Sequence, residues 1–167
     1  MNVLNGTGAQ ADMKIPFQVD LNDKVAVVTG GGGVLCGVLA RALGQCGAAV
    51  AVADLKPDAA QRVADAITAA GGRAIAVACN VLDKASLEAA NAEVEARLGA
   101  VSILINGAGG NHPKGTTSME YLNPDDLLKE HRDVTTFYDL DPKGIEFVFN
   151  LNVLGTLPPP QELTRKT

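Results

Sequence analysis

The sequence predicts an α/β fold, a doubly wound parallel sheet that is incomplete, with about four strands and flanking helices. Three observations predict it. Short apolar runs at 25–29, 49–53, 74–79 and 101–105 alternate with stretches of helical periodicity. Those runs are nearly continuous rather than alternating, which suits strands covered on both faces. A glycine-rich segment, Thr29-Gly30-Gly31-Gly32-Gly33, joins the first run directly to a helical stretch. Strand and helix repeating at this rhythm imply βαβ units with right-handed crossovers in one sheet.

Taken in order, Met1 to Asp12 is a polar tail with no basic flank and no apolar segment of signal-peptide type, and Met13 is a second possible start. The first strand is Val25-Ala26-Val27-Val28, followed by the glycine turn. Between the second and third runs, Ala60, Val63, Ala64, Ile67 and Ala70 mark one helix face, which Gly71-Gly72 stops. Leu87, Ala90, Val94 and Leu98 mark the next, with Asp83 placed to cap and Gly99 to terminate. After Asn106 the rhythm breaks. Residues 109–140 read as an insertion, with a short helix at Asp125-Asp126-Leu127-Leu128, and connections this long are functional or mobile. A last helix starts near Pro142, which suits a first-turn position, and carries Phe147, Val148, Leu151 and Leu154 on one side. Pro158-Pro159-Pro160 is expected to end it. The expected organisation is an N-terminal tail 1–20, one domain 21–156 with insertion 109–140, and a disordered tail 157–167.

Composition excludes several classes. With 167 residues, 47% of them hydrophobic, one globular domain is expected. A formal net charge of -5 argues against nucleic acid and anionic membranes as partners. No run reaches the ~18 apolar residues of a membrane span. Cys36, Cys46 and Cys79 have no metal-ligand spacing, so they are expected as free thiols in a reducing cytoplasm, with no metal site.

The chemistry sits at the glycine turn. A glycine-rich strand-to-helix turn lets backbone amides approach a phosphate, and the helix N-terminus adds partial positive charge. Asp54 ends the second run. A carboxylate there accepts from the ribose hydroxyls of NAD and repels the 2′-phosphate of NADP, although nearby Lys56 leaves slight room for the latter. No Gly-Lys-Ser/Thr closes the turn, so a nucleoside-triphosphate loop is excluded.

At these residues the chain resembles the short-chain dehydrogenase/reductases. The resemblance rests on Thr29-Gly30 opening the turn, Asn106-Gly107-Ala108-Gly109 ending the fourth strand, and Asn152-Val153-Leu154-Gly155 in the last helix, and it runs from about Val25 to Gly155. Within that family, Lys14-Ile15-Pro16-Phe17, the Gly-Gly-Gly-Gly-Val-Leu turn, the segment Asn106 to Gly115 and the insertion resemble D-mannonate oxidoreductases (fructuronate reductases) of the short-chain type. The resemblance implies a Rossmann-like sheet and a hydride passed between NAD and a sugar-acid C–OH/C=O centre. It implies Gly30 and Gly33 at the phosphates, Leu35 near the nicotinamide, Asp54 on the adenosine ribose, and Asn80 with Val81 at the adenine. Asn106, Ala108 and Gly109 would run beside the cofactor ribose, and Asn152 is the one member of the catalytic set present. Val34 and Cys36 stand where the family commonly has glycine, and Asn80 stands where Asp is more frequent.

The resemblance also implies a tyrosine with a lysine four residues later, because a phenol with an ordinary pKa near 10 is a poor proton donor at neutral pH. Here Tyr121 is followed at that distance by Asp125, and Tyr138 by Pro142. The serine, tyrosine and lysine are therefore read as not encoded, and the chain as a C-terminally truncated, inactive form. Self-association through the open sheet edge or the last helix is expected. His112 could touch a substrate carboxylate, and His112 and His131 are otherwise loop histidines. A non-catalytic nucleotide-binding or assembly module and a nonfunctional remnant remain open. A methyltransferase would give no reason for Asn106-Gly107-Ala108-Gly109.

Overall fold

The computed structural model describes residues 19–127 and 134–164. The readings for residues 1–18, for Leu128 and His131, and for 165–167 lie outside the described residues. Strands β1 (Val25–Thr29), β2 (Ala49–Asp54), β3 (Arg73–Ala78) and β4 (Ile103–Asn106) form a parallel sheet in the order β3-β2-β1-β4. Helices α1 (Val34–Gln45), α2 (Pro57–Ala69) and α3 (Lys84–Arg97) make the crossovers. The chain steps outward from β1 through β2 to β3, then crosses back to lay β4 on the other side of β1. This is the doubly wound parallel sheet that the apolar runs predict.

The two central strands, β1 and β2, bury both of their faces. Val25, Val27, Ala49, Ala51, Ala53, Ile75 and Val77 pack with Leu87, Ala90, Val94 and Leu98 from the α3 side. Ala26, Val28, Val50 and Val52 point the other way, onto Ala40 of α1 and Ala60, Ala64 and Ile67 of α2. Burial on both parities is why the runs show no alternation. Fully burying each Val contributes roughly 1.5–3 kcal/mol, so the core is assembled from many small terms.

Helix ends follow their local signals. The Asp83 carboxylate accepts from the N–H groups of Ala85 and Ser86 at 3.0 and 3.4 Å, so α3 has a side-chain cap. Gly99, just beyond α3, donates to Val94 O at 3.2 Å, and Gly72, just beyond α2, donates to Ile67 O at 3.0 Å. The insertion holds 3₁₀ turns at Pro113–Gly115, Pro124–Leu127 and Phe137–Asp139, so the short helix expected near Asp125 is a 3₁₀ turn. Its two limbs meet where Ser118 N–H donates to Thr135 O at 3.0 Å and Thr135 N–H donates to Ser118 Oγ at 2.8 Å.

The C-terminal stretch corrects two expectations. Helix α4 (Pro142–Asn152) starts where expected, capped by Asp141, whose carboxylate accepts from Lys143 N–H at 2.9 Å. It stops at Asn152, before the prolines, and a 3₁₀ turn at Leu154–Thr156 leads into α5 (Pro158–Leu163). The triple proline therefore opens a helix instead of closing one. Its prolines fill the first turn, where backbone N–H groups have no intrahelical partner and ring constraint fits the helical φ. Residues 157–164 are consequently not the disordered tail that was expected. Leu163 is buried in the α3-side core, Pro159 is buried beside it, and Glu162 pairs with Lys84 of α3 at 3.6 Å. Among the described residues no helix is long and apolar enough to cross a membrane.

Replacing the α3 cap, Asp83→Ala, is expected to lower unfolding free energy by about 1 kcal/mol. The urea midpoint of the purified chain should fall without a change in transition slope.

Candidate functional site

The site forms where β1 and β4 end side by side, with Thr29 in register with Asn106. Thr29 is only 1% exposed. Its hydroxyl accepts from Gly107 N–H at 3.1 Å and Ala108 N–H at 3.2 Å, and donates to Ile105 O at 3.4 Å. One side chain thus ties the turn after β1 to the turn after β4. Gly30 follows in the left-handed region, φ 64°, and a Cβ there would lie 2.7 Å from Gly107 O and 2.9 Å from Ala108 N. Conformation and close approach both demand glycine. Gly107 is equally constrained, because a Cβ would strike Cys36 Sγ and lie 2.8 Å from Thr29 O. The Cys36 thiol donates to Gly107 O at 3.6 Å. Burial, then the Asp54 charge, push its pKa up.

Helix α1 begins at Gly33 with no side-chain cap and no acidic residue in its first turn. Its first intrahelical bond runs from Gly37 N–H to Gly33 O at 2.8 Å. The N–H groups of Val34, Leu35 and Cys36 have no partner within the helix, and they lie at its positive end. Val34 is 93% and Leu35 73% exposed, so this end stays open. Across from it, Asp54 closes β2 with both carboxylate oxygens engaged. Oδ2 accepts from Gly32 N–H at 3.0 Å and Oδ1 from Lys56 N–H at 2.9 Å.

These parts surround one cleft of about 580 Å³. Gly30, Gly33, Leu35, Asp54, Asn80, Val81, Ala108 and Gly109 all line it, together with Cys36, Leu55, Lys56, Ala59, Arg62, Cys79, Gly107 and Leu151. Asn80 also makes a turn of its own: Oδ1 accepts from Leu82 N–H at 3.1 Å and its N–H donates to Ser86 Oγ at 2.9 Å. Val81 and Cys79 form a buried wall, and burial pushes the Cys79 thiol from 9.0 to about 11.

Asn106 and Asn152 do not line the cleft. The Asn106 amide donates to Thr156 O at 3.3 Å, tying the end of β4 to the turn before α5. Asn152 grips a single residue: Oδ1 accepts from Gly110 N–H at 3.1 Å while Nδ2 donates to Gly110 O at 2.7 Å and to Val148 O at 2.8 Å. His112 is also outside the lining. Its Nδ1 accepts from Lys114 N–H at 3.2 Å, and its ring lies 5.2 Å from that of Phe147 on α4. Tyr121 and Tyr138 are 77% and 74% exposed and lie away from the cleft. Among the described residues no group of three His, Cys, Asp or Glu could hold a metal ion.

Several members of the site escape a reading of the sequence. The Thr29 hydroxyl and the Gly32 N–H act through contacts made by folding, and neither has a local pattern. Arg62 sits in an ordinary polar position of α2, where only the approach of that helix to the cleft singles it out. Cys79 is one residue past β3, and its place in the wall follows from the strand order.

The short chain dehydrogenase family model matches residues 24–166. The chain belongs to this family. An uncharacterized oxidoreductase of Haemophilus influenzae is 46% identical over 149 residues, which are 89% of this chain and 51% of that protein. An uncharacterized oxidoreductase of Bacillus subtilis, UxuB, is 44% identical over 141 residues, 84% of this chain and 49% of that protein. Among solved structures, one from Haemophilus influenzae, provisionally assigned as a D-mannonate oxidoreductase and solved with bound NAD, superposes with a TM-score of 0.79 at 45% identity. That match covers 87% of this chain and 50% of the other. The chain therefore spans about half the length of the curated relatives it matches.

Two outcomes follow from the geometry of this short chain dehydrogenase cleft. Gly30→Ala is expected to cost about 2 kcal/mol or more, read as a lowered denaturation midpoint, because the new Cβ meets backbone atoms in a left-handed conformation. The folded state holds the Cys79 proton more tightly than the unfolded state, so this stabilisation is full below pH 9.0 and fades as pH rises toward about 11. Alkaline titration of stability should show a loss of about 1–3 kcal/mol in that window, absent from Cys79→Ala.

Proposed function

We propose that this chain builds the dinucleotide-binding part of a nicotinamide-dependent oxidoreductase acting on a C–OH/C=O centre of a sugar acid of the mannonate–fructuronate type, with NAD preferred. The observation that carries the proposal is the Asp54 carboxylate held across the cleft from the open N-terminus of α1. The two features suit the two ends of an adenosine diphosphate group, a ribose diol and a pyrophosphate. The uncapped N–H groups at Val34 to Cys36 take the pyrophosphate oxygens without help from a side chain. Asp54, already tethered by Gly32 and Lys56, keeps lone pairs for the ribose hydroxyls. Val81 and Asn80 border the adenine, while Ala108 and Gly109 run along the far ribose, with Leu35 against the nicotinamide. The bound cofactor supplies hydride chemistry. Asn152 acts by position, holding Gly110 and so the loop at the reacting end.

The sugar-acid part is supported by the match to the Haemophilus influenzae structure and by the segment Asn106 to Gly115, which continues directly from the cleft. A proton donor is a separate matter. Neither tyrosine lines the cleft, and neither has a lysine four residues on. The same proposal therefore assigns binding without turnover to these residues alone. It also assigns self-association, supported by Phe147, Phe149, Val153, Leu154 and Leu157, which are 44%, 62%, 55%, 53% and 58% exposed.

Calorimetric titration with NADH is expected to give saturable binding that Asp54→Ala weakens about tenfold or more, and a keto-sugar acid should produce no steady NADH oxidation. Absence of NADH binding would overturn the cofactor assignment, and steady oxidation would overturn the assignment of binding alone.

A further inference from the structure

Three of the chain's six aromatic residues, Tyr121, Phe137 and Tyr138, stand on the insertion, and all three are exposed. The insertion is nonetheless folded on itself, with its two limbs joined at Ser118 and Thr135. Between the limbs lies a cavity of about 200 Å³ that shares no lining residue with the dehydrogenase cleft. Met119, Tyr121, Leu122 and Phe137 give it apolar walls, and Glu120 and Asp126 are its charged lining residues. No Lys, Arg or His lines it, and among the described residues neither carboxylate forms an ion pair. Asp126 is held in place, because Oδ2 accepts from Asn123 N–H at 2.8 Å and from Asn123 Nδ2 at 3.2 Å. Among the described residues its Oδ1 has no donor and is left to one from outside. Two threonine hydroxyls of the wall are already committed: Thr117 Oγ1 donates to Met119 O at 3.1 Å, and Thr136 Oγ1 to Asp139 Oδ2 at 2.6 Å.

We infer that this cavity is a binding site for a small organic ammonium ion, a protonated amine on a compact apolar body. Size sets the first limit, since pockets that take drug-sized molecules or cofactors run from about 300 Å³ upward. Charge sets the second, because two carboxylates without a cation repel an anion, a sugar acid included. Hydrogen bonding sets the third. Carboxylates only accept, so the ligand must bring the donors, and an uncharged polyol finds few donors in return. A protonated amine meets all three limits. Its N–H groups donate to the carboxylates of Asp126 and Glu120, and its charge is drawn to the rings of Tyr121 and Phe137. Its body packs against Met119 and Leu122 and removes exposed apolar surface from water.

The test is a chemical-shift titration of the whole, isotope-labelled chain with benzylammonium. Benzyl alcohol and phenylacetate serve as probes of similar body without charge and with the opposite charge. Benzylammonium should give saturable shifts at 117–126 and 134–137 and bind about tenfold more tightly than benzyl alcohol. Phenylacetate should give no saturable shift, and added salt should weaken benzylammonium. Tyr121→Leu keeps an apolar wall without the ring and should weaken benzylammonium about threefold. Glu120→Gln, a change at an exposed side chain, should weaken it by a similar factor and leave benzyl alcohol unchanged. The amide spectrum of each sample reports whether the variant is folded. Absence of saturable shifts at these residues overturns the inference. So does benzyl alcohol or phenylacetate binding as tightly as benzylammonium, or a benzylammonium affinity unmoved by both Tyr121→Leu and Glu120→Gln.

Discussion

The contact between the ends of β1 and β4 sets everything else at this site. Parallel pairing places Thr29 beside Asn106, and the buried Thr29 hydroxyl spends its hydrogen-bonding capacity on three backbone groups of the β4 end. The two turns then touch backbone to backbone, at Gly30 against Gly107 and Ala108, with no room for a side chain between them. That adjacency exists because the chain crosses back over β1 after β3, and the crevice at such a reversal is where open α/β sheets bind ligands. The cleft is a product of strand order before it is a product of any residue that lines it.

Given that crevice, part of its polar character comes from backbone groups, beside the side chains of Asp54, Lys56, Arg62 and Asn80. The first turn of α1 offers N–H donors that need no particular side chain, so residues larger than glycine, Val34 and Cys36, can occupy it. The larger residues are absorbed in two different ways. Val34 points into solvent, whereas Cys36 fills the space beside Gly107, which must then lack a side chain. Opposite, the Gly32–Asp54 bond and the bond from Gly31 N–H to Ala53 O stitch the same turn to the end of β2, so the donor end and the acceptor end are held at a set separation.

The loop leaving β4 is fastened along α4. Asn152 holds Gly110, the His112 ring meets that of Phe147 at a tilt, and the chain at Gly115 approaches the backbone of Gly144 so closely that neither position has room for a Cβ. These contacts order the first part of the insertion, and Gly110, His112 and Gly115 do not line the cleft. They give Asn152 a definite mechanical role in this structure, that of joining α4 to the loop after β4.

The sheet, the crossovers and the caps were legible in residue order because each depends on neighbours close in sequence. Both-face burial writes continuous apolar runs at 25–29 and 49–53, and a helix start at Asp83 needs only the next few N–H groups. The glycine turn and Asp54 were legible for the same reason, since strand, turn and strand end follow a short repeating unit. The end of α4 was not. Three prolines can stop one helix or start another, and packing against α3, with Leu163 in the core and Glu162 on Lys84, settles which. Nor could residue order show Thr29 bridging to Gly107, Asn106 turning to Thr156, or Arg62 reaching the cleft. Those contacts join residues far apart along the chain, and they exist only once the strands have taken their order in the sheet.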